Sequence, residues 1–361
     1  MRLENRQSKI ENEVFMSHLM HTEIHEQPEW VARAIDSERQ AAATLARAIR
    51  DNDIRFVVMA ARGTSDNAAT YAKYLLEIVT GLPVALAAPS VHTLYDAKLN
   101  LANSLVMGIS QSGQGTDIVE MLRSSRAAGA ITACITNSPE SPITTVSDHV
   151  LLCNAGQEKA VAATKTYTTA LAVVALLSGL IADHRELLDN LQFAPDAMRK
   201  TLQVESAIQV AVERYRYMSE CAVLARGINQ ATALEAALKM TETSYVVARP
   251  FSGADFLHGP IAMVDSGFPC FLFAPEGRAY ASMLDLAQSI RGRQGEIVAI
   301  SGSDDILSLA TTPIKMPAEV DELLSPLTYA IPGQLFAYYL AITRGEDPDN
   351  PRGLKKVTST R

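Results

Sequence analysis

Phe56-Val57-Val58-Met59-Ala60-Ala61-Arg62-Gly63-Thr64-Ser65-Asp66 is the stretch on which the fold turns. A short apolar run ends in a Gly-Thr-Ser loop, and a helical pattern from Asn67 to Val79 follows. The same order recurs at Leu105-Val106-Met107-Gly108-Ile109, which ends in Ser110-Gln111-Ser112-Gly113 before another helical stretch. Ile131 to Ile135 makes a third run. Strand, loop and helix in alternation predict an α/β fold with a parallel sheet.

Further along, the pattern returns in register. Arg226-Gly227, after Ala222-Val223-Leu224-Ala225, lies 164 positions beyond Arg62-Gly63, and Cys270–Ala274 lies 165 beyond the second run. Ile297–Ile300 matches the third run at about the same displacement. Three strands at one displacement predict two copies of one α/β unit. The expected organisation is a helical N-terminal segment over 1–50, a first unit over 51–182, a helical connector over 183–216, a second unit over 217–344 and a polar tail over 345–361. Pro28 is expected to interrupt the N-terminal helix, with Pro28-Glu29-Trp30 starting a new one.

A length of 361 residues accommodates two such units, and 48% apolar with 20% charged residues is a globular composition. The formal net charge of −8 argues against a dedicated nucleic-acid binder, although local dipoles can still attract an anion. Residues 1–12 are polar and lack the apolar core of a secretory signal. The longest apolar stretch, Ala170 to Ala182, is too short to span a bilayer and is expected to be a buried helix. Cys134, Cys153, Cys221 and Cys270 form no CxxC pair, so buried free thiols in a reducing cytoplasm are expected.

Ligands of open α/β sheets sit at the carboxyl ends of the strands. There Gly63-Thr64-Ser65 and Ser110-Gln111-Ser112-Gly113 each open a helix, whose free N–H groups and positive end face the loop. Hydroxyls and amides without a carboxylate suit a phosphate dianion. One such loop alone would be ordinary helix capping; two after adjacent strands favour phosphate binding. Neither has nucleotide-binding spacing. The segment 155–165 is rich in small residues and could bring backbone close to a ligand or simply start a helix.

In the second unit Glu235, Lys239 and Glu242 share one helix face at i, i+4 and i+7. This spacing fits a solvent-exposed ion-pair row and, equally, a catalytic carboxylate among Ala, Leu and Met. His258 precedes Gly259-Pro260 in what should be a tight exposed turn, with no His or Cys beside it to make a metal site.

These features together resemble the sugar isomerase (SIS) half of the glutamine–fructose-6-phosphate amidotransferases, over roughly residues 15–358. The distinctive stretches are Glu23-Ile24-His25-Glu26-Gln27-Pro28, Gly63-Thr64-Ser65, Ser110-Gln111-Ser112-Gly113, Ala163-Thr164-Lys165, Leu234–Lys239, His258-Gly259-Pro260 and Asp349–Lys356. The resemblance implies two tandem flavodoxin-like SIS domains and a homodimer with a shared sugar-phosphate site. It implies that Thr64, Ser65, Ser110, Gln111 and Ser112 hold phosphate, and that Val161 and Ala163, with Glu158 nearby, meet the sugar. It makes Glu242 the base between C1 and C2, Lys239 its helical neighbour, His258 the ring-opening group from the partner subunit, and Lys356 the lysine that meets the carbonyl.

Three departures bear on the reaction. Residue 2 is Arg, where the amidotransferases begin a glutaminase domain with Cys, so ammonia from glutamine is not expected. Gln114-Gly115-Thr116 replaces the family's Glu-Thr, which removes one phosphate hydroxyl or shifts it to Thr116. Leu257 and Thr241 stand where the family has lysines. The expected activity is deamination of glucosamine 6-phosphate in the cytoplasm, without metal or organic cofactor, nucleic acid or membrane partner. The alternatives are a related conversion of galactosamine 6-phosphate or a fructosamine 6-phosphate, and a non-catalytic sugar-phosphate sensor.

Overall fold

The β-branched and apolar run at Phe56–Ala60 forms strand β1, buried on both faces in the way a central parallel strand requires. The computed structural model describes residues 18–317 and 320–356. It contains two five-stranded sheets, parallel in every pairing. The first comprises β1, β2 (Val84–Leu86), β3 (Ser104–Ile109), β4 (Ile131–Thr136) and β5 (His149–Leu152), in the order β2-β1-β3-β4-β5. The second comprises β6 (Glu220–Ala225), β7 (Val247–Ser252), β8 (Pro269–Phe273), β9 (Glu296–Ser301) and β10 (Thr312–Lys315), in the order β7-β6-β8-β9-β10. The two orders are the same, and strand starts such as Phe56 and Glu220, or Ile131 and Glu296, keep the displacement seen in the sequence.

The principal helices are α1 (Leu19–Asp51), α2 (Thr64–Thr80), α3 (Thr116–Ala127), α4 (Lys165–Ala182), α5 (Arg185–Thr201), α6 (Gln230–Ser244), α7 (Tyr280–Gly292) and α8 (Ser325–Thr343). Alternation along the strands divides the core. Val57 and Met59 of β1 and Val223 and Ala225 of β6 face one shared core, filled by α1, α2, α4, α6 and α8. Val58 and Ala60 face a smaller core under α3, and Ala222 and Leu224 face another under α7. The two sheets therefore sandwich a common helical layer. α4 is apolar on every side because it lies in that layer; it is long and apolar enough to cross a membrane, yet 89% of it is buried inside the protein.

Pro28 does not interrupt α1, contrary to the sequence expectation. The helix runs unbroken from Leu19 to Asp51 with Pro28 inside it. Proline cannot donate to the carbonyl of Ile24, one turn back. The side-chain amide of Gln27 takes its place, donating to Ile24 O at 2.9 Å. That local replacement explains why Gln-Pro is tolerated in a helix interior. The first turn of α1 is capped from the far end of the chain: Asp349 accepts from the backbone N–H of Leu19 and Met20, both at 2.8 Å. The residues of the expected N-terminal segment before His18, and the tail beyond Lys356, lie outside the described residues.

Candidate active site

The loops after β1 and β3 and the segment before α4 enclose a cavity of about 360 Å³ at the carboxyl edge of the first sheet. Thr64, Ser65, Ser110, Gln111, Ser112, Val161, Ala163 and Lys356 all line it. So does Arg62, which the sequence reading quoted as part of a loop but gave no role. Its guanidinium donates through Nε to Asp117 at 2.9 Å, and Asp117 is itself buried at the start of α3. A buried carboxylate thus aims a half-exposed cation at the mouth of the cavity.

The Ser-Gln-Ser-Gly loop is built to a fixed shape. Ser110 Oγ accepts from Gly113 N at 3.1 Å, and Ser112 Oγ accepts from Gln114 N at 3.3 Å. Gly113 sits at φ +63°, and a Cβ there would lie 2.0 Å from Ser141 Oγ, so only glycine fits. Asn137, which follows β4, ties this loop to the next one. Its N–H donates to Gln111 O at 3.1 Å, its side-chain amide donates to Gly156 O at 2.7 Å, and its Oδ1 accepts from Ala155 N at 2.9 Å. Sequence reasoning passed over Asn137; its position directly after a central strand was the available signal.

The segment 155–165 is held by two buried carboxylates. Glu158 accepts from the backbone N–H of Thr164 (2.9 Å) and Thr166 (3.1 Å), from Thr166 Oγ1 (2.8 Å) and from Lys356 Nζ (2.7 Å). Burial pushes its carboxyl up, but Lys356 and these hydrogen bonds outweigh burial and hold it below the usual range. Glu158 does not line the cavity. It anchors Lys356, which also donates to Ala160 O at 2.7 Å, and the turn that presents Val161 and Ala163.

Glu23 of α1 accepts from the N–H of Lys159 and, at 3.3 Å, of Ala160. Burial, with Glu158 adding repulsion, overrides the hydrogen bond from Lys159 and raises its carboxyl from 4.5 to about 7. The folded protein therefore binds a proton that the unfolded chain has already lost between pH 4.5 and 7. Stability should fall as pH rises through that window. Glu23→Gln, which removes the titrating group and keeps one acceptor oxygen for Lys159 N–H, is expected to remove that decline, on the order of 2–3 kcal/mol. Urea unfolding at pH 5 and pH 8 for both proteins checks this; equal pH slopes would refute it.

The α6 row is buried. Glu235 and Lys239 have side chains 1% exposed and Glu242 23%, so the solvent-exposed reading of this face does not hold. Lys239 Nζ lies 2.7 Å from Glu242 Oε2 and 3.5 Å from Glu235 Oε1, and donates to Thr64 Oγ1 at 3.0 Å. Thr64 Oγ1 donates in turn to Glu235 at 3.3 Å, which also accepts from Asn67 Nδ2 at 2.7 Å. Burial pushes the Glu235 carboxyl up despite Lys239. Burial would lower Lys239, but the two carboxylates outweigh it and keep the ammonium charged.

The structure thus divides the sequence-predicted set. Thr64 joins cavity and charged row, and its hydroxyl is engaged by Lys239 and Glu235. Lys239 reaches Thr64 and pairs with Glu242, and neither lines the cavity. Thr116, offered as a replacement phosphate hydroxyl, lines a separate surface recess with Thr93, Gln114 and Arg123. His258 is exposed, after the short helix Gly253–Leu257, and is not brought to the cavity within one chain. All four cysteines are free and buried; Cys153 contributes to the cavity wall.

Two parallel units of one topology, with serine loops at the carboxyl edge of the first, define a tandem α/β class of protein. The SIS domain model matches residues 52–178 and 219–344, and the chain belongs to that family. It is 34% identical over 349 residues to a glutamine–fructose-6-phosphate aminotransferase of Thermococcus kodakarensis, with 94% of this chain aligned to 57% of that protein. It is homologous to the isomerase half of such enzymes and spans little more than half their length. Among solved structures, a chain from Silicibacter pomeroyi DSS-3, provisionally described as a phosphosugar isomerase, superposes with TM-score 0.84 at 33% identity, covering 92% of this chain and all of that one. A glucosamine-6-phosphate deaminase from Thermotoga maritima superposes with TM-score 0.76 at 21% identity, covering 95% of this chain and all of that one, and shares the fold.

Proposed function

We propose that the chain is a phosphosugar-converting enzyme that deaminates glucosamine 6-phosphate to fructose 6-phosphate and ammonia. One observation carries the reading: a loop cavity built for an anion backs, through Thr64, onto a buried carboxylate–lysine row. The cavity volume of about 360 Å³ suits a hexose phosphate. Ser65, Ser110, Gln111 and Ser112 supply donors to the phosphate at the mouths of α2 and α3, with Arg62 as a cation beside them. Val161 and Ala163 flank the sugar.

The open-chain amino aldose extends from the cavity past Thr64 to Glu242. Glu242 takes the C2 proton while the C1 oxygen gains one, which gives an enolamine; the carboxyl then returns its proton to C1 as the nitrogen loses one, which leaves a C2 ketimine. Water adds to that ketimine, and the C2–N bond breaks to leave a ketone and ammonia. Lys239, 2.7 Å from Glu242 Oε2, orients that carboxylate, and Lys356, fixed by Glu158, stabilises the charge that develops on the C1 oxygen. His258 opens the pyranose ring from a second copy of the chain, in a homodimer with shared sites.

Ammonia release from glucosamine 6-phosphate, with galactosamine 6-phosphate and a fructosamine 6-phosphate alongside, tests the proposal. Release from glucosamine 6-phosphate first and fastest is expected. Tight binding with no ammonia from any of the three would make the chain a sensor instead. Arg62→Gln, which keeps a donor for Asp117, is expected to raise KM about tenfold with little change in kcat, since a charge-assisted hydrogen bond contributes about 1.5–3 kcal/mol. An unchanged KM would remove Arg62 from the phosphate site.

A further inference from the structure

The first turns of α1 hold a second cluster that the proposed reaction does not use. His21 and His25, one turn apart, share a helix face. His21 Nε2 lies 2.6 Å from Glu205 Oε1, and His25 Nε2 lies 2.9 Å from Glu205 Oε2. The two imidazole centroids are 4.6 Å apart. One ligand atom from each of the three side chains lies within 4.8 Å of the others. Glu205 begins the short helix Glu205–Ala211 in the connector between the two units. Tyr339 of α8 donates to its Oε1 at 2.6 Å and holds the carboxylate in place.

We propose that His21, His25 and Glu205 form a site for one divalent transition-metal ion of the zinc class, with water as the remaining ligand. Two imidazoles and a carboxylate are the donor set such ions take, and hard cations such as calcium or magnesium prefer all-oxygen ligands. Zinc–ligand bonds of about 2.0–2.2 Å need the three atoms roughly 3–3.5 Å apart. The three atoms lie within 4.8 Å of one another, so metal binding draws them closer. Each imidazole then presents its Nε2 lone pair to the ion, with the ring proton on Nδ1. The His25 side chain is 37% exposed and that of His21 28%, which leaves an entry path and room for water.

The consequence is mechanical. His21 and His25 project from the same helix as Glu23 and Glu26. Glu23 holds the N–H groups of Lys159 and Ala160, and Glu26 pairs with Lys165 at 2.6 Å, so α1 props the segment that lines the cavity. An ion joining α1 to Glu205 would staple that prop to the connector. The sequence led to the expectation of no metal; this cluster joins residues 180 and more positions apart, which no local motif displays.

Titration of the chelator-treated full chain with Co2+, followed by its visible ligand-field bands and by calorimetry, tests the site. One equivalent is expected to bind, with a Kd of about 50 μM or tighter, to be displaced by Zn2+, and to raise Tm by several degrees. His21→Ala and His25→Gln should each weaken binding at least tenfold. His25→Gln, at a half-exposed position, serves if His21→Ala fails to fold. No saturable uptake by the unmodified chain, or unchanged uptake by His25→Gln, would overturn the proposal and leave the cluster as a hydrogen-bonded helix contact.

Discussion

Glu242→Gln is expected to lower the turnover of glucosamine 6-phosphate by three orders of magnitude or more, while the affinity for the sugar phosphate changes by less than about threefold. Positioned proton transfer contributes roughly 10²–10⁴-fold to a rate, and in this reaction both the removal from C2 and the delivery to C1 would pass through one carboxylate. Affinity is spared because the phosphate donors belong to the first unit's loops, on the cavity side of Thr64. The substitution is close to isosteric and keeps an oxygen for Lys239 Nζ, which lies 2.7 Å from Glu242 Oε2. Fold and stability should therefore survive. Parallel measurement of kcat, of sugar-phosphate binding by calorimetry and of Tm separates these outcomes. A variant with undiminished kcat would remove Glu242 from the chemistry. A variant that loses binding and kcat together would make it a structural residue.

Glu158→Ala is expected to destabilise the protein by about 3–5 kcal/mol, mainly the cost of buried donors left without an acceptor, with the loss of the half-buried Lys356 pair adding to it. Three further donors lose their acceptor at once: the N–H groups of Thr164 and Thr166 and the Thr166 hydroxyl. Because Glu158 is fully buried, water cannot take over without reorganising the turn. Glu158→Gln should recover part of the loss, since a neutral amide oxygen still accepts from the backbone but no longer balances Lys356. Both variants should also lower kcat, because Lys356 and the Val161–Ala163 wall move together. Urea unfolding reads the first effect, and a loss below about 1 kcal/mol for Glu158→Ala would show that Glu158 is not the anchor.

The central strands were legible in the sequence because burial on both faces gives uninterrupted apolar runs, as at Phe56–Ala60 and Leu105–Ile109. The edge strands were not. β2 spans only Val84–Leu86, and β7, with the sequence Val-Ala-Arg-Pro-Phe-Ser, carries a charge and a proline. Each is defined by pairing with its neighbour rather than by its own pattern. That the two serine-rich loops share one cavity was legible, since both follow adjacent strands and open helices at the carboxyl edge of the sheet. The binding partners of Glu158 and Glu23 were not, because a carboxylate that caps backbone N–H groups from another element leaves no mark at its own position. Pro28 misled for the same reason: its compensation lies in the Gln27 side chain, beside it in sequence but apparent only in three dimensions.

The charge balance of the chain also takes on meaning from the site. A net charge of −8 repels a phosphate dianion at long range. In the proposed reaction, attraction is local, from Arg62, Lys356, the mouths of α2 and α3 and the hydroxyls between them. The acidic row on α6 adds little to that repulsion, since Lys239 offsets part of it.

The central claim is that the cavity at the edge of the first sheet is the phosphosugar site served by the α6 carboxylate. A crystal structure of the Glu242→Gln chain with glucosamine 6-phosphate bound tests it most directly. The account predicts phosphate oxygens on Ser65, Ser110 and Ser112, and the residue 242 side chain facing C1 and C2 at about 3–3.5 Å. Phosphate bound outside this cavity, or the C1–C2 bond turned away from residue 242, would contradict it.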